Sequence, residues 1–163
     1  MAINKTCHGG SERVAAKLKE GQLYHNILTP IDLSEPAMTQ KGIAAAIEIA
    51  KIAKARIRLV YVQSLMPLAF MEYAPADFDE RVRESTEGEL TKAAEQIDYP
   101  KELVSTALRF GAVYPEVLTE AETWGADLIV LGSHRPSMST YLLGSNAKTI
   151  VRHAKCSVLV ARD

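Results

Sequence analysis

Ile27-Leu28-Thr29-Pro30-Ile31, then Asp32-Leu33-Ser34-Glu35-Pro36, and, after an Ala- and Ile-rich stretch at 37–54, Ile57-Arg58-Leu59-Val60-Tyr61-Val62 together decide the fold. The first run is short and apolar and closes on turn-forming residues, which reads as a strand leaving its sheet. Ser34 is placed to cap a helix start, Glu35 suits the positive end of a helix dipole, and Pro36 is tolerated in a first turn. Within 37–54, Ile43, Ile47 and Ala50 fall on one stripe at helical spacing, with Ala46, Ile49 and Ala53 beside it. The β-branched run that follows is a second strand. A strand–helix–strand unit with a crossover this long requires the two strands to be parallel.

The same alternation continues downstream. Residues 77–97 read as a long polar helix with Phe78, Val82, Leu90, Ala93 and Ile97 inward, ended by Tyr99-Pro100. Residues 103–110 form a third strand. A short helix over 115–124 stops at Gly125, a residue suited to the left-handed position after a helix. Leu128-Ile129-Val130-Leu131 is apolar without interruption, as a central parallel strand covered on both faces must be. A loop from Gly132 to Gly144, a helix to about Ala154 and the strand Val158-Leu159-Val160 complete the pattern. Five strands alternating with four helices specify an α/β fold, a single open five-stranded parallel sheet with helices on both faces. The apolar stretch 65–75 lacks a period and reads as a loop over a sheet edge.

Working outward, the 163-residue chain suits one compact domain, 23–163, preceded by a polar extension at 1–22 with too few apolar residues to dock firmly, expected to be mobile. The 19 Lys and Arg nearly balance 20 Asp and Glu, which argues against a nucleic-acid partner held by counterion release. With 47% hydrophobic and 24% charged residues the chain can bury a real core. Two cysteines make no disulfide framework, no apolar run is long enough to span a membrane, and 1–23 does not read as a signal peptide. A cytoplasmic location is expected. Cys7 and His8 adjoin without a second ligand pair, so no metal site is expected from them.

In an open α/β sheet, ligands sit beyond the carboxyl ends of the strands, where the strand order reverses. Two segments meet that condition with suggestive chemistry. One is Pro30-Ile31-Asp32. The other is Gly132-Ser133-His134-Arg135-Pro136, closing at Leu143-Gly144-Ser145-Asn146. Gly132 leaves room for a ligand against backbone. Gly144-Ser145-Asn146 opens a helix, whose free N–H groups and positive dipole end favour anions. His134 and Arg135 supply charge-assisted donors. On the residues alone a capped helix start, with Ser145 or Asn146 as the cap, is the preferred account of the second segment, and an Asx turn accounts equally for Asp32. Neither a P-loop nor a G-x-G-x-x-G follows the first strand, which removes the dehydrogenase reading. A phosphoacceptor receiver domain needs an Asp where Phe110-Gly111-Ala112 stands.

Ile27 to Glu35, with Gly132-Ser133-His134, Leu142-Leu143-Gly144-Ser145-Asn146-Ala147 and the ending Arg152-His153-Ala154-Lys155-Cys156-Ser157-Val158-Leu159-Val160-Ala161-Arg162, resembles the universal stress protein family. The wording is closest to its F/G-type bacterial branch, and the resemblance covers 24–162. It implies a Rossmann-like sheet of the adenine nucleotide alpha hydrolase type, strand order 3-2-1-4-5. It also implies ATP as ligand, with Mg2+ or Mn2+ held through the phosphates. By resemblance, Asp32 and Val62 meet the adenosine half, and Pro30, Ile31 and Leu131 shape the pocket. Gly132, His134 and Arg135 then flank the phosphates, and Gly144, Ser145 and Asn146 contact them from the helix start. The family's nucleotide pattern is G-x2-G-x9-G-[ST]; here Arg135 replaces the second Gly and eight residues, not nine, precede Gly144. Arg135 replaces backbone access with a cation. Family resemblance further implies a homodimer through the last strand, Cys156 to Arg162.

An ATP-binding stress-response regulator is therefore the expected function. No general base stands beside a nucleophile, so at most slow hydrolysis or autophosphorylation is expected. The alternative is a homodimeric interaction module with a vestigial pocket, which the Arg135 departure favours.

Overall fold

The computed structural model describes residues 23–65, 77–132 and 144–162. The extension at 1–22, most of the apolar loop and the segment carrying His134 and Arg135 lie outside the described residues. Strand β1 (Asn26–Pro30) leads through helix α1 (Pro36–Ala53) to β2 (Arg56–Gln63). Helix α2 (Phe78–Glu95) and a 3-10 turn (Lys101–Leu103) precede β3 (Val104–Phe110). Then come α3 (Val113–Trp124), β4 (Leu128–Gly132), α4 (Ser145–His153) and β5 (Ser157–Ala161). The five strands form one sheet in the order β3-β2-β1-β4-β5, and every pairing is parallel.

Side-chain alternation along the strands builds two cores. Ile27, Ile57, Leu59, Leu128 and Val130 pack with Ala46 and Ala50 of α1 and Leu90 of α2 on one face. Leu28, Val60, Val62, Ile129 and Leu131 pack with Val117 and Ala121 of α3 and Ile150 of α4 on the other. This is why β4 reads as a continuous apolar run: both of its faces are covered. Each fully buried aliphatic side chain contributes about 1.5–3 kcal/mol of transfer free energy.

Several local expectations need correction. The centre of the α1 stripe is not isoleucine but Gly42, Ala46 and Ala50, which are buried while Ile43 and Ile47 flank them. Small residues let the helix axis approach the sheet closely. A Cβ built at Gly42 would lie 2.9 Å from the backbone N of Gly132. Ser34 does not cap α1; Glu35 holds the cap position without a side-chain hydrogen bond, and Pro36 is the first helical residue. Helix α2 ends at Glu95, two residues short of the expected Ile97, which is still buried. Helix α3 begins at Val113 rather than Pro115 and stops at Gly125, whose φ of 71° places it in the left-handed region as expected.

The segment after α2 closes two helix ends at once. The Tyr99 hydroxyl lies 3.1 Å from the Ala50 carbonyl and 2.9 Å from that of Ala55, beyond the end of α1. Lys101 Nζ donates to the carbonyls of Glu95 and Ile97 at the end of α2. The Ala50 and Ile97 carbonyls also accept backbone N–H groups, from Lys54 and Ala55 and from Tyr99, so the two side chains add second partners there.

Candidate functional site

The carboxyl ends of β1 and β4 diverge where the sheet order reverses, because the crossover from β1 runs outward to β2 while β4 lies on the other side. A cleft of about 440 Å³ opens there. Of the residues singled out by sequence, Pro30, Ile31, Asp32, Val62, Leu131, Gly132, Gly144, Ser145 and Asn146 all line it. Two segments 100 residues apart in the chain are thus walls of one cavity. His134 and Arg135 lie outside the described residues.

The walls differ in chemistry. Val62, Val113, Val117, Leu131 and Ile150 make an apolar side, continuous with the core between the sheet and α3 and α4. The start of α4 also lines the cleft. Gly144 is its cap residue, with extended φ and ψ of −52° and 150° and no side-chain hydrogen bond. Ser145 and Asn146 are the first two helical residues, so the expected Ser or Asn cap is absent. The first intrahelical bond runs from Lys148 N to Gly144 O at 2.9 Å, which leaves the preceding N–H groups without intrahelical partners. No acidic residue occupies the first turn to neutralise the positive dipole end.

Asp32 is held by its own turn. Its Oδ1 accepts the backbone N–H of Ser34 at 2.9 Å and the Ser34 hydroxyl at 2.6 Å. The Asx-turn account of Asp32 is therefore what the geometry shows, and it coexists with a place in the cleft wall. Tyr61, on the neighbouring strand, also lines the cleft. Its phenol is pushed above the ordinary value of 10.0, chiefly by burial and then by the negative charges of Asp32 and Glu89. Among the described residues, no group of three or more His, Cys, Asp or Glu side chains is placed to hold a metal ion, and no helix is long and apolar enough to cross a membrane.

Sequence reasoning missed the wall made by Ser34, Thr39, Tyr61, Gln63, Ser64, Val113 and Val117. The available signal was positional. Gln63 and Ser64 end β2, and Val113 follows β3, so the same rule that selected the ends of β1 and β4 applies to them. The valines carry no mark in sequence that separates a cavity wall from a core.

Comparison with known proteins agrees with this fold. The family model described as the universal stress protein family matches residues 23–162. Universal stress protein G of Escherichia coli O157:H7 is 34% identical over 143 residues, spanning 86% of this chain and all of the relative. Its counterpart in Salmonella typhimurium is 33% identical over the same length. Among solved structures, a universal stress family protein from Burkholderia pseudomallei superposes with a TM-score of 0.60 at 28% identity, covering 84% of this chain and 95% of that one. A universal stress protein in complex with cAMP shares the fold at a TM-score of 0.62 and 18% identity, covering 85% of this chain and 97% of that one. The chain belongs to the universal stress protein family, and its similarity to the G proteins of enteric bacteria places it with that type.

Proposed function

We propose that the cleft at the β1/β4 switch point binds an adenine nucleotide, with ATP the ligand it fits, and that the protein is a nucleotide-dependent stress-response regulator. The observation that carries this reading is the single cavity gathering Asp32, Gly132 and the uncapped start of α4 against an apolar wall. Its donor set suits such a ligand. Unpaired N–H groups and a positive dipole end favour phosphates, a carboxylate accepts hydroxyl protons, and valine and leucine side chains give a base an apolar surface. Its volume, about 440 Å³, lies within the range for small-ligand pockets. The family supports the reading, and the neighbour complexed with cAMP is an instance of this fold holding an adenine nucleotide.

Within that reading Gly144, Ser145 and Asn146 hold phosphate oxygens through backbone N–H groups, with His134 and Arg135 flanking them. Asp32 takes the sugar, and Val62 and Leu131 border the base. A divalent cation, Mg2+ or Mn2+, would enter on the phosphates rather than on a protein ligand cluster. Among the described residues lining the cleft, the Ser34 hydroxyl that bonds Asp32 is engaged in its own turn with no third group orienting the pair, so turnover is slow where it occurs.

The test is thermal. A ligand that binds only the folded state stabilises by RT ln(1 + [L]/Kd), about 2.7 kcal/mol at one hundred times Kd. ATP with magnesium should raise the melting temperature, and protein purified without added nucleotide should release adenine nucleotide when heat-denatured. No shift at millimolar ATP together with no released nucleotide would overturn the reading in favour of a vestigial pocket.

A further inference from the structure

Among the described residues lining the cleft Asp32 is the one acidic group, and its two oxygens are not equivalent. Asp32 Oδ1 accepts both donors of Ser34, the backbone N–H at 2.9 Å and the hydroxyl at 2.6 Å. Among the described residues no donor is bonded to Oδ2. A carboxylate has about four acceptor sites, so half its capacity is committed to Ser34 and half is left over among the described residues. The bond from the Ser34 hydroxyl is short, as hydrogen bonds to charged oxygens are. It also acts on a side chain that is otherwise free to rotate, since the terminal torsion of Asp is broad and soft. Two donors on one residue converging on one oxygen remove that freedom.

We infer that Ser34 is a positioning residue: it locks the Asp32 carboxylate through Oδ1 so that Oδ2 is presented in one orientation to a ribose hydroxyl, and thereby makes the site select ribonucleotides over deoxyribonucleotides. This rests on the nucleotide reading of the cleft, and both residues line that cleft. An ionised carboxylate is an acceptor only, so its complement on the ligand must be a donor. The sugar hydroxyls are the donors that a deoxynucleotide lacks. Preorganisation of the acceptor strengthens the hydroxyl contact because less side-chain freedom is lost when the ligand arrives. Ser34 itself need not touch the ligand.

The experiment is calorimetric titration of the full chain with ATP, 2′-deoxy-ATP and 3′-deoxy-ATP, at fixed magnesium and salt. Wild type should favour ATP over at least one deoxy analogue by roughly tenfold, the size expected for a hydrogen bond to a charged acceptor. Ser34→Ala should weaken ATP by roughly three- to tenfold, leave the deoxy analogue nearly unchanged and so bring the ratio toward one. Ser34→Thr, which keeps the hydroxyl, should restore both. In an Asp32→Ala background Ser34→Ala should have no further effect, since the two act as one unit. Ser34 is exposed, so the melting temperature of the ligand-free variants should stay close to wild type. If ATP binds but Ser34→Ala leaves affinity and ratio unchanged, the positioning role is wrong and the nucleotide site stands. Equal weakening of ATP and both deoxy analogues, or additive effects with Asp32→Ala, would also overturn it. If wild type binds none of the three, the nucleotide reading fails and this inference fails with it.

Discussion

At the scale of the residue, two positions carry consequences opposite to ordinary substitution rules. Gly42 lies inside α1, where Gly→Ala normally stabilises by about 1 kcal/mol. Here the added Cβ would stand 2.9 Å from a backbone nitrogen, Gly132 N, which cannot swing aside as a side chain tip can. Gly42→Ala should therefore destabilise by about 1–3 kcal/mol, the cost of overpacking. Gly88, inside α2, has no atom within 4 Å of a built Cβ. Gly88→Ala should show the ordinary gain of roughly 0.5–1 kcal/mol, and urea titrations of the two variants side by side check the sign reversal. Thr29 is the second case. It is fully buried on β1, and its hydroxyl has no hydrogen-bond partner among the described residues. Thr29→Val keeps the shape and removes an uncompensated polar group, so the urea midpoint should rise, by about 1 kcal/mol in stability, with an unchanged slope. A lower midpoint would show that the hydroxyl has a partner. Neither residue advertises itself in sequence. Thr29 reads as one more β-branched strand residue, and Gly42 as a tolerated helix glycine, because the decisive neighbour of each is brought by another element.

At the scale of the element, what was legible follows from period. The alternation of apolar strands with 3.6-period helices placed the five strands and four α-helices of the described residues, and the uninterrupted run at Leu128 to Leu131 identified the strand with both faces covered. Interactions that join elements across the sheet were not legible. Glu120 is buried in α3, where it accepts Arg58 of β2 at 2.8 Å and Arg109 of β3 at 2.7 Å, with Arg58 stacked 4.5 Å over the Trp124 ring. The helical period places position 120 beside Val117 and Ala121, yet a glutamate there reads as polar surface because its arginine partners come from other elements. The candidate site divides the same way: the ends of β1 and β4 carried glycines, an aspartate and a helix start, whereas the β2 and α3 wall carried only unremarkable side chains. Among the described residues the last strand is an edge of the sheet, with β5 paired to β4 alone. An apolar edge must be covered or paired, and we propose that Cys156 to Arg162 pairs with a second copy across a two-fold axis. Val158 and Val160 pack against the inner cluster, so lysine there would perturb the core as well as the edge. Leu159 is the sharper position, being 37% exposed. Light scattering at micromolar concentration should show a dimer for wild type and a monomer for Leu159→Lys, and a monomeric wild type would remove the proposal.

At the scale of the whole molecule, the two poles of the sheet are tied by different chemistry, and alkaline pH addresses both. At the amino ends of the strands, Tyr99 bridges the Ala50 and Ala55 carbonyls, and burial raises its phenol above the ordinary value of 10.0. At the carboxyl ends, Tyr61 is raised by burial first and then by Asp32 and Glu89. A group whose folded-state value lies above its unfolded value holds its proton more tightly when folded. The stability it contributes is complete below the unfolded value and is lost as pH rises through the folded one. Both tyrosines therefore act in the same direction, and stability should fall once the pH passes about 10, each contributing a slope of at most about 1.4 kcal/mol per pH unit. The two can be separated. Asp32→Asn removes one of the charges that oppose ionisation of Tyr61, so it should shift tyrosinate formation at that pole to lower pH and leave Tyr99 unmoved. Tyr99→Phe should flatten the alkaline slope while lowering stability at neutral pH, because the part-buried hydroxyl contacts to the Ala50 and Ala55 carbonyls are lost. Urea midpoints from pH 8 to 11, read together with tyrosinate absorbance, check both variants. A stability curve that stays level through pH 11 in wild type would show that neither phenol is linked to folding.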